Sequence, residues 1–271
     1  MAEQFEQELA QAQGGGPQDQ AGQRLSQEGN PHPKGTAHAG GENGSPAPDP
    51  HQIEPGTDTR ATGIDVSQYQ NNIDWPTVKK AGVQFAFIRA TEGTTIQDTD
   101  FVQNWQNAEK AGVPVGAYHY FTTTSPVSTQ VDNFVNEMKQ VGDVGQLPPV
   151  LDVEDPSQFA KLTPAQSVAM IQQWLDGVQA KLGVRPMLYM SSNFSATVLD
   201  NSPQLDSYKL WVADYTTSND PTVPKPWSTW NFWQHADNGQ VPGIQGDVDL
   251  DYFNGPSIQL KTANQQSPPG R

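Results

Sequence analysis

The sequence contains no cysteine, which excludes disulfide bonds, cysteine nucleophiles and zinc or iron–sulfur sites with cysteine ligands. Basic residues are also scarce: 15 Lys and Arg stand against 30 Asp and Glu, which gives a formal net charge of -15. Such a chain has no basic stripe for phosphate groups, so we expect no nucleic-acid partner and no binding to an anionic membrane surface. No apolar run approaches the ~20 residues of a membrane span. A polar, sugar-like ligand fits this composition better.

The two ends of the sequence differ in composition from its middle. Residues 1–62 are rich in Gln, Gly, Pro and acidic residues and nearly lack aliphatic and aromatic ones, so they predict a disordered leader. Residues 256–271 predict a flexible tail, and residues 63–255 have the size of a single barrel domain. The first residues have neither the basic nor the apolar segment of a secretory signal peptide, so we expect synthesis in the cytoplasm. We expect the barrel to be a monomer.

Short apolar runs alternate with amphipathic stretches in the middle segment, a pattern typical of parallel strands joined by helices. Eight runs predict strands, at 63–66, 83–90, 114–121, 149–154, 186–191, 209–215, 230–235 and 247–253. Five stretches predict helices, at 75–81, 98–111, 126–140, 164–182 and 193–200, and Gly82, Gly112 and Gly183 end three of them. The sequence therefore predicts an α/β fold, a TIM-like barrel of eight strands and about five helices that is regular at first and irregular at its end.

Acidic residues lie near the ends of several predicted strands, where parallel barrels carry their reactive groups. Asp152 and Glu154 in PPVLDVED are two positions apart, so their side chains are expected on one face of the strand. Like charges this close favour a protonated state for one carboxyl group, and glycoside hydrolysis needs one acid and one carboxylate. The alternative for this motif alone is that both carboxylates end the strand in solvent or cap the next helix.

Seven segments carry a wider pattern: GIDVSQYQ at 63–70, the run at 87–121, PPVLDVED at 148–155, LYMSSNF at 188–194, LWVADY at 210–215, WQH at 233–235 and GDVDLDYF at 246–253. Together they resemble glycoside hydrolase family 25, the muramidases of bacteria, phages and fungi. The resemblance implies an irregular barrel of eight strands and five helices. It also implies hydrolysis, with retention, of the β-1,4 bond between N-acetylmuramic acid and N-acetylglucosamine in peptidoglycan strands, without cofactor or metal.

The resemblance also implies roles for individual residues. Glu154 is the expected general acid, and Asp152 is expected to hold the 2-acetamido group of the substrate or to act more directly. Asp65 and Asp249 match the two further acidic positions of the family and are expected to position substrate and tune this pair. Six residues fall where the family lines its sugar groove: Tyr118, Tyr120, Tyr189, Trp211, Asp214 and Gln234. Core packing is the alternative explanation for Tyr189 and Trp211.

Two other patterns could indicate a metal site or a catalytic triad, but neither fits such a site well. His119 alternates with Tyr118 and Tyr120 along a predicted strand and is therefore expected to face the helix layer. The last predicted strand contains three alternating aspartates, as a calcium loop does, but Tyr252 and Ile258 stand where that loop needs Gly and Glu. An EF-hand is therefore excluded.

Other functions remain open from the sequence. A barrel that binds peptidoglycan or chitin without hydrolysing it is the main alternative, although all four acidic positions are intact. A chitinase or hexosaminidase of another barrel family also uses an Asp-x-Glu motif, but the order of the surrounding motifs does not fit. A wall-degrading enzyme without a signal peptide is expected to reach its substrate through a membrane pore, in a virion or by a secretion machine. Residues 1–62 are the segment that we expect a delivery partner to bind.

Overall fold

The structure is a computed structural model that describes residues 60–256 and 259–260. Residues 1–59, which make up most of the predicted leader, lie outside this range, as do most residues of the predicted tail. The strands are β1 Ala61–Val66, β2 Phe85–Glu92, β3 Ile96–Gln97, β4 Val115–Tyr120, β5 Val150–Asp152, β6 Met187–Ser191, β7 Leu210–Ala213, β8 Phe232–Gly239 and β9 Val248–Phe253. The helices are α1 Trp75–Lys80, α2 Phe101–Lys110, α3 Val127–Val141, α4 Pro164–Leu182 and α5 Ser192–Thr197.

All eight predicted strands and all five predicted helices are present in the predicted order. The short strand β3, which forms a hairpin with β2, was not predicted. Strand β1 begins at Ala61, two residues before the predicted start, because its backbone pairs with that of Phe253. Strand β5 ends at Asp152, so Glu154 lies in the segment that follows the strand.

Eight of the strands close into a barrel. Strands β1, β2, β4, β5, β6, β7 and β8 are parallel neighbours, and β9 lies antiparallel between β8 and β1. The sequence pattern indicated parallel strands throughout. The last strand is reversed because residues 240–247, which join it to β8, contain no helix that would carry the chain back to the other end of the barrel. The start of β9 therefore lies beside the C-terminal ends of the parallel strands.

Aromatic side chains fill the interior of the barrel. The Phe87 ring stacks on Trp211 with centroids 4.5 Å apart, and Phe232 meets it edge-on at 5.0 Å. Gly63 makes room for this packing, since a Cβ atom there would lie 2.4 Å from the Phe85 ring. The burial of each such side chain stabilises the fold by roughly 1.5–3 kcal/mol. This packed interior forms the floor beneath the polar end of the barrel.

Helices cover the outside of the barrel, and His119 faces them as predicted. Its ring stacks on Trp174 of α4 at 5.3 Å, and its two nitrogens hydrogen-bond to Thr91 Oγ1 at 2.7 Å and Gln130 Oε1 at 3.1 Å. Burial lowers the pKa of His119 to about 4, so the ring is neutral near pH 7.

Among the residues that the structure describes, no helix combines the length and apolar character needed to cross a membrane.

Candidate active site

Acidic side chains gather at the end of the barrel where the parallel strands finish. Asp65 is near the end of β1, and Asp152 is the last residue of β5. Asp249 comes to the same place from the reversed strand β9, where it lies directly opposite Asp65 in the antiparallel pair. The four predicted carboxylates are Asp65, Asp152, Glu154 and Asp249, and the structure brings them together with a fifth, Asp251.

Asp152 is one of the buried members of this cluster and is 7% exposed. Its Oδ1 is buried and has no hydrogen-bond donor among the described residues. Burial raises the pKa of Asp152 well above its ordinary value, and the nearby carboxylates of Glu154 and Asp65 raise it further. An acceptor oxygen without a donor is costly to bury, which marks Oδ1 as an atom that a bound ligand can satisfy.

Glu154 follows the end of β5 and has an exposed side chain. Although the residue is exposed, the protein atoms around its carboxyl group remove much of its hydration. This desolvation is the largest cause that raises the pKa of Glu154 from 4.5 to about 7, and the Asp155 carboxylate adds to the rise. Glu154 therefore combines solvent access with a large protonated fraction near pH 7, which a general acid requires.

Arg89 supplies positive charge beside these carboxylates. It comes from β2 and is 7% exposed, and its guanidinium group lowers the pKa of both Asp152 and Glu154. Its Nε donates to Asp98 Oδ2 at 3.0 Å, and its guanidinium carbon lies 4.9 Å from the centre of the Tyr69 ring. The sequence interpretation missed Arg89. The signal was present, because a basic residue inside the apolar strand FAFIRATE must be paired or used.

Gln234 connects two tyrosines to Asp65. The hydroxyl groups of Tyr189 and Tyr215 both donate to Gln234 Oε1, each at 2.7 Å. Gln234 Nε2 then donates to Asp65 Oδ2 at 2.8 Å. Because two hydroxyl donors converge on one oxygen, the amide has a single orientation that satisfies all three bonds. Gln234 is thus a buried support for Asp65.

The predicted groove residues divide into two groups by depth. Tyr118 and Tyr120 of β4 are half-buried near the acidic cluster, where burial and the surrounding carboxylates raise their pKa values. Tyr189 and Trp211 are 5% and 1% exposed, and their ring centroids lie 4.7 Å apart. These two rings pack in the barrel interior beneath the carboxylates, so they support the site from below and offer no open face to a sugar.

Asp214 has a role in its own loop. Its Oδ2 accepts a hydrogen bond from the backbone N–H of Thr222 at 2.7 Å, and its backbone oxygen accepts one from Trp233 Nε1 at 2.7 Å. These bonds shape the loop that follows β7. A contact between Asp214 and a sugar stays a prediction.

Two exposed aromatic side chains were not among the predicted groove residues. Tyr69, which follows β1 and lies over Arg89, is 55% exposed, and Tyr215, which follows β7 and bonds to Gln234, is 49% exposed. Aromatic faces of this kind suit pyranose rings.

In the part of the chain that the structure describes, no group of three or more His, Asp or Glu side chains is arranged to hold a metal ion.

Comparisons with known proteins identify a family for this chain. The family model for glycosyl hydrolases family 25 matches residues 64–244, which include Asp65, Asp152 and Glu154. Lysozyme M1 of Streptomyces globisporus is 36% identical over 220 residues, which cover 79% of this chain and 74% of that protein.

Solved lysozyme structures are also similar to this chain in sequence and fold. The bacterial lysozyme from Streptomyces coelicolor is 34% identical with a TM-score of 0.69, over 75% of this chain and 96% of that chain. A family GH25 lysozyme from Aspergillus fumigatus is 32% identical with a TM-score of 0.67, over 76% of this chain and 99% of that chain.

Proposed function

Because the chain belongs to family 25 of the glycosyl hydrolases, we propose that it is a muramidase that hydrolyses, with retention, the β-1,4 bond between N-acetylmuramic acid and N-acetylglucosamine in peptidoglycan. The observation that carries the proposal is the pairing of two unlike carboxyl groups. Glu154 is solvent-accessible with a pKa of about 7, while Asp152 is buried with one oxygen that lacks a donor. Glycoside hydrolysis requires such a difference between an acid and its partner.

In the first step, Glu154 donates its proton to the glycosidic oxygen as the bond to the anomeric carbon breaks. Positive charge then develops on the sugar ring, and the carboxylate of Asp152 stabilises it. In the second step, Glu154 accepts a proton from water, which attacks the anomeric carbon from the side that the leaving group has vacated. The overall result is retention of the anomeric configuration.

Two reaction routes are consistent with these steps, and they differ in their intermediate. In one, Asp152 attacks the anomeric carbon and forms a covalent glycosyl-enzyme. In the other, Asp152 Oδ1 accepts a hydrogen bond from the N–H of the 2-acetamido group, whose carbonyl oxygen attacks instead. A fluorinated sugar that traps the covalent intermediate supports the first route. Tight binding of an oxazoline analogue, without covalent labelling, supports the second.

The test of the function is analysis of the reducing ends released from purified peptidoglycan. Wild type is expected to release new muramic acid reducing ends, and Glu154→Gln to release them about 10²- to 10⁴-fold more slowly. Glu109→Gln makes the same chemical change on α2, where Glu109 Oε1 accepts a bond from Gln146, and is expected to match wild type. Glucosamine reducing ends would assign a different bond, and no products from wild type would favour a barrel that binds peptidoglycan without cutting it.

A further inference from the structure

Three large hydrophobic side chains are exposed among the residues that the structure describes, and all three lie at the end of the barrel that holds the carboxylates. Tyr69 follows β1, Tyr215 follows β7, and Ile96 belongs to β3, which pairs with the last two residues of β2. The two tyrosines have aromatic faces that suit sugar rings. Ile96 is 40% exposed and has no aromatic face, so a methyl-bearing group suits it better than a sugar ring.

The hairpin of β2 and β3 extends beyond the end of β1. In the parallel pair of β1 and β2, Val66 at the end of β1 lies beside Ile88. Strand β2 continues through residues 89–92, and β3 pairs with the end of this extension. The hairpin therefore prolongs the wall of the barrel past the neighbouring strand.

Glu92, the last residue of β2, faces the site. His119 of β4 faces the helices and hydrogen-bonds to Thr91, its neighbour on β2. The next two residues, Tyr120 and Glu92, are also neighbours, and they point the opposite way. Tyr120 lies in turn beside Asp152 of β5. Glu92, Tyr120 and Asp152 thus form one row across three strands.

Ile96 points the same way as Glu92, and its backbone is held in place. The two residues lie directly opposite each other in the hairpin, and opposite residues of an antiparallel pair share a face of the sheet. Asn133 Nδ2 of α3 donates to Gly93 O at 3.0 Å and to Ile96 O at 3.1 Å. The hairpin is therefore preorganised, because a ligand that contacts Ile96 does not have to order it.

Arg89 connects this hairpin to the loop that follows β1. Its Nη1 lies 4.0 Å from Glu92 Oε2, and its guanidinium carbon lies 4.9 Å from the centre of the Tyr69 ring. The side chain of Glu92 is 29% exposed, so its carboxylate can accept a hydrogen bond from a ligand. This side of the site therefore presents an aromatic face, a carboxylate and an aliphatic side chain, on Tyr69, Glu92 and Ile96.

We propose that Glu92 and Ile96 contact the peptide stem of a muramic acid residue, beside a sugar that stacks on Tyr69, and so favour glycan strands that carry stems. This inference rests on the proposed muramidase function. The stem begins with an amide N–H between the methyl groups of the lactyl ether and of alanine. An aliphatic side chain suits the methyl groups, and a carboxylate accepts from the N–H.

The N-acetyl groups of the sugars offer similar chemistry, because each has an amide N–H and a methyl group. They stay close to the sugar ring, however, whereas the stem projects from the glycan strand. A hairpin that extends past the neighbouring strand is better placed for the projecting group. The stem is therefore the occupant that the position of Ile96 favours.

The first test measures binding and does not depend on hydrolysis. Methyl NMR of the wild-type protein follows the Ile96 δ1 signal, assigned by its loss in Ile96→Thr. The ligands are N-acetylglucosaminyl-N-acetylmuramic acid and the same disaccharide with L-alanyl-D-isoglutamine attached. We expect the signal to move only with the dipeptide-bearing ligand. No movement with that ligand, or equal movement with both, would overturn the proposal whether or not the protein hydrolyses peptidoglycan.

The second test is kcat/KM of Ile96→Thr on peptidoglycan and on the same glycan strands after an amidase has removed the stems. Threonine keeps the β-branched shape that suits a strand but removes most of the apolar contact. We expect kcat/KM to fall by about 5-fold on stem-bearing strands and to stay unchanged on stem-free strands. An equal fall on both substrates would assign Ile96 to a sugar or to folding, and no fall on either would exclude the contact; each result would overturn the proposal.

Ile244→Thr is the matched control for this variant. It makes the same change in the loop between β8 and β9, which contacts the start of α1 through a hydrogen bond from Asp74 N to Gly243 O at 2.9 Å. We expect it to leave the ratio of kcat/KM on the two substrates in place. The same change of ratio in Ile244→Thr and Ile96→Thr would overturn the specific contact of Ile96.

The third test compares Glu92→Leu with Glu92→Gln on the same two substrates. Leucine removes the acceptor, whereas glutamine keeps an acceptor oxygen. The lost charge beside the acidic cluster acts on both substrates, so the ratio of their kcat/KM values isolates the stem. We expect Glu92→Leu to lower the preference for stem-bearing strands by about 5-fold and Glu92→Gln to retain most of it. An unchanged preference in Glu92→Leu would overturn the role of Glu92.

Discussion

Gln234 Nε2 donates a hydrogen bond to Asp65 Oδ2 over 2.8 Å, although the two residues are 169 positions apart in the sequence. The oxygen of the same amide accepts hydrogen bonds from the hydroxyl groups of Tyr189 and Tyr215. One neutral side chain therefore fixes the orientation of a carboxyl group at the centre of the site. The bond exists only because closure of the barrel places β8 two strands from β1, with β9 between them.

Removal of this support is expected to impair catalysis more than stability. In Gln234→Leu, Asp65 loses its amide donor and the two tyrosine hydroxyls lose their acceptor, so the acidic cluster loses its geometry. We expect kcat/KM to fall by about 10²-fold, because small displacements of catalytic groups have effects of this size. Gln146→Leu is the control: that glutamine also bridges two groups, Val115 N and Glu109, outside the acidic cluster. An equal loss of activity in both variants would contradict a specific role of Gln234.

The pH dependence of stability follows from the raised pKa of Glu154. The folded protein holds this proton up to about pH 7, whereas an unfolded glutamate releases it near its ordinary value of 4.5. The folded state therefore binds more protons between these values, and its stability falls as pH rises through that window. Glu154→Gln cannot ionise, so we expect it to unfold at a higher temperature than wild type at pH 8.

The difference in unfolding temperature between Glu154→Gln and wild type is expected to vanish near pH 4, where the wild-type side chain is protonated in both states. Thermal unfolding of both proteins at pH 4, 6 and 8 measures this. A variant that is less stable than wild type at pH 8 would contradict the raised pKa.

Arg89 is expected to affect both catalysis and folding. Arg89→Met removes a positive charge that lowers the pKa of Asp152 and Glu154, so both limbs of the pH profile are expected to move to higher pH. The same change removes the charged partner of the buried Asp98 carboxylate, which keeps the backbone N–H donors of Gln68 and Asp100, and is expected to cost about 3–5 kcal/mol of folding free energy. Kinetics across pH and urea unfolding measure the two effects. Unmoved limbs in a folded Arg89→Met variant would exclude Arg89 from the electrostatics of the site.

His119 differs from these residues, because its side chain faces the helix layer and is expected to have no part in catalysis. His119→Phe keeps the ring that stacks on Trp174 but removes the partner of Thr91 Oγ1 and one of the two donors to Gln130 Oε1, which still accepts from Thr122 N. The expected cost is roughly 1–3 kcal/mol for the one buried group left unpaired. We expect lower stability with kcat/KM unchanged for the folded protein. A loss of kcat/KM in a fully folded His119→Phe variant would indicate a catalytic role for His119 and contradict this prediction.

His119 also predicts acid sensitivity, opposite in sign to that of Glu154. Burial lowers the pKa of His119 from 6.5 to about 4, so the unfolded chain binds more protons than the folded chain between these values. The contribution of His119 to stability is therefore lost as pH falls from 6.5 toward 4. Unfolding of wild type and His119→Phe across that range measures it, and parallel curves would contradict the lowered pKa.

Much of the fold could be predicted because its signals are local. Pro164 is the first residue of α4, and reciprocal hydrogen bonds between Thr163 and Gln166 cap the helix. Gly183 ends the same helix at a φ of 74°, a conformation that favours glycine. Strands were found from short apolar runs. The reversed direction of β9 was missed, since strand periodicity contains no information about direction.

The sequence by itself determined the alternation of strands and helices and the presence of Asp152 and Glu154 at the end of one strand, because both depend on neighbours within a few positions. Tertiary structure alone decided the reversal of β9, which brings Asp249 opposite Asp65. It also decided the burial of Asp251 against Trp211, 40 positions away. The physical reason is that hydrogen bonds and desolvation depend on distances in space. Those distances between remote residues are set only when the barrel closes.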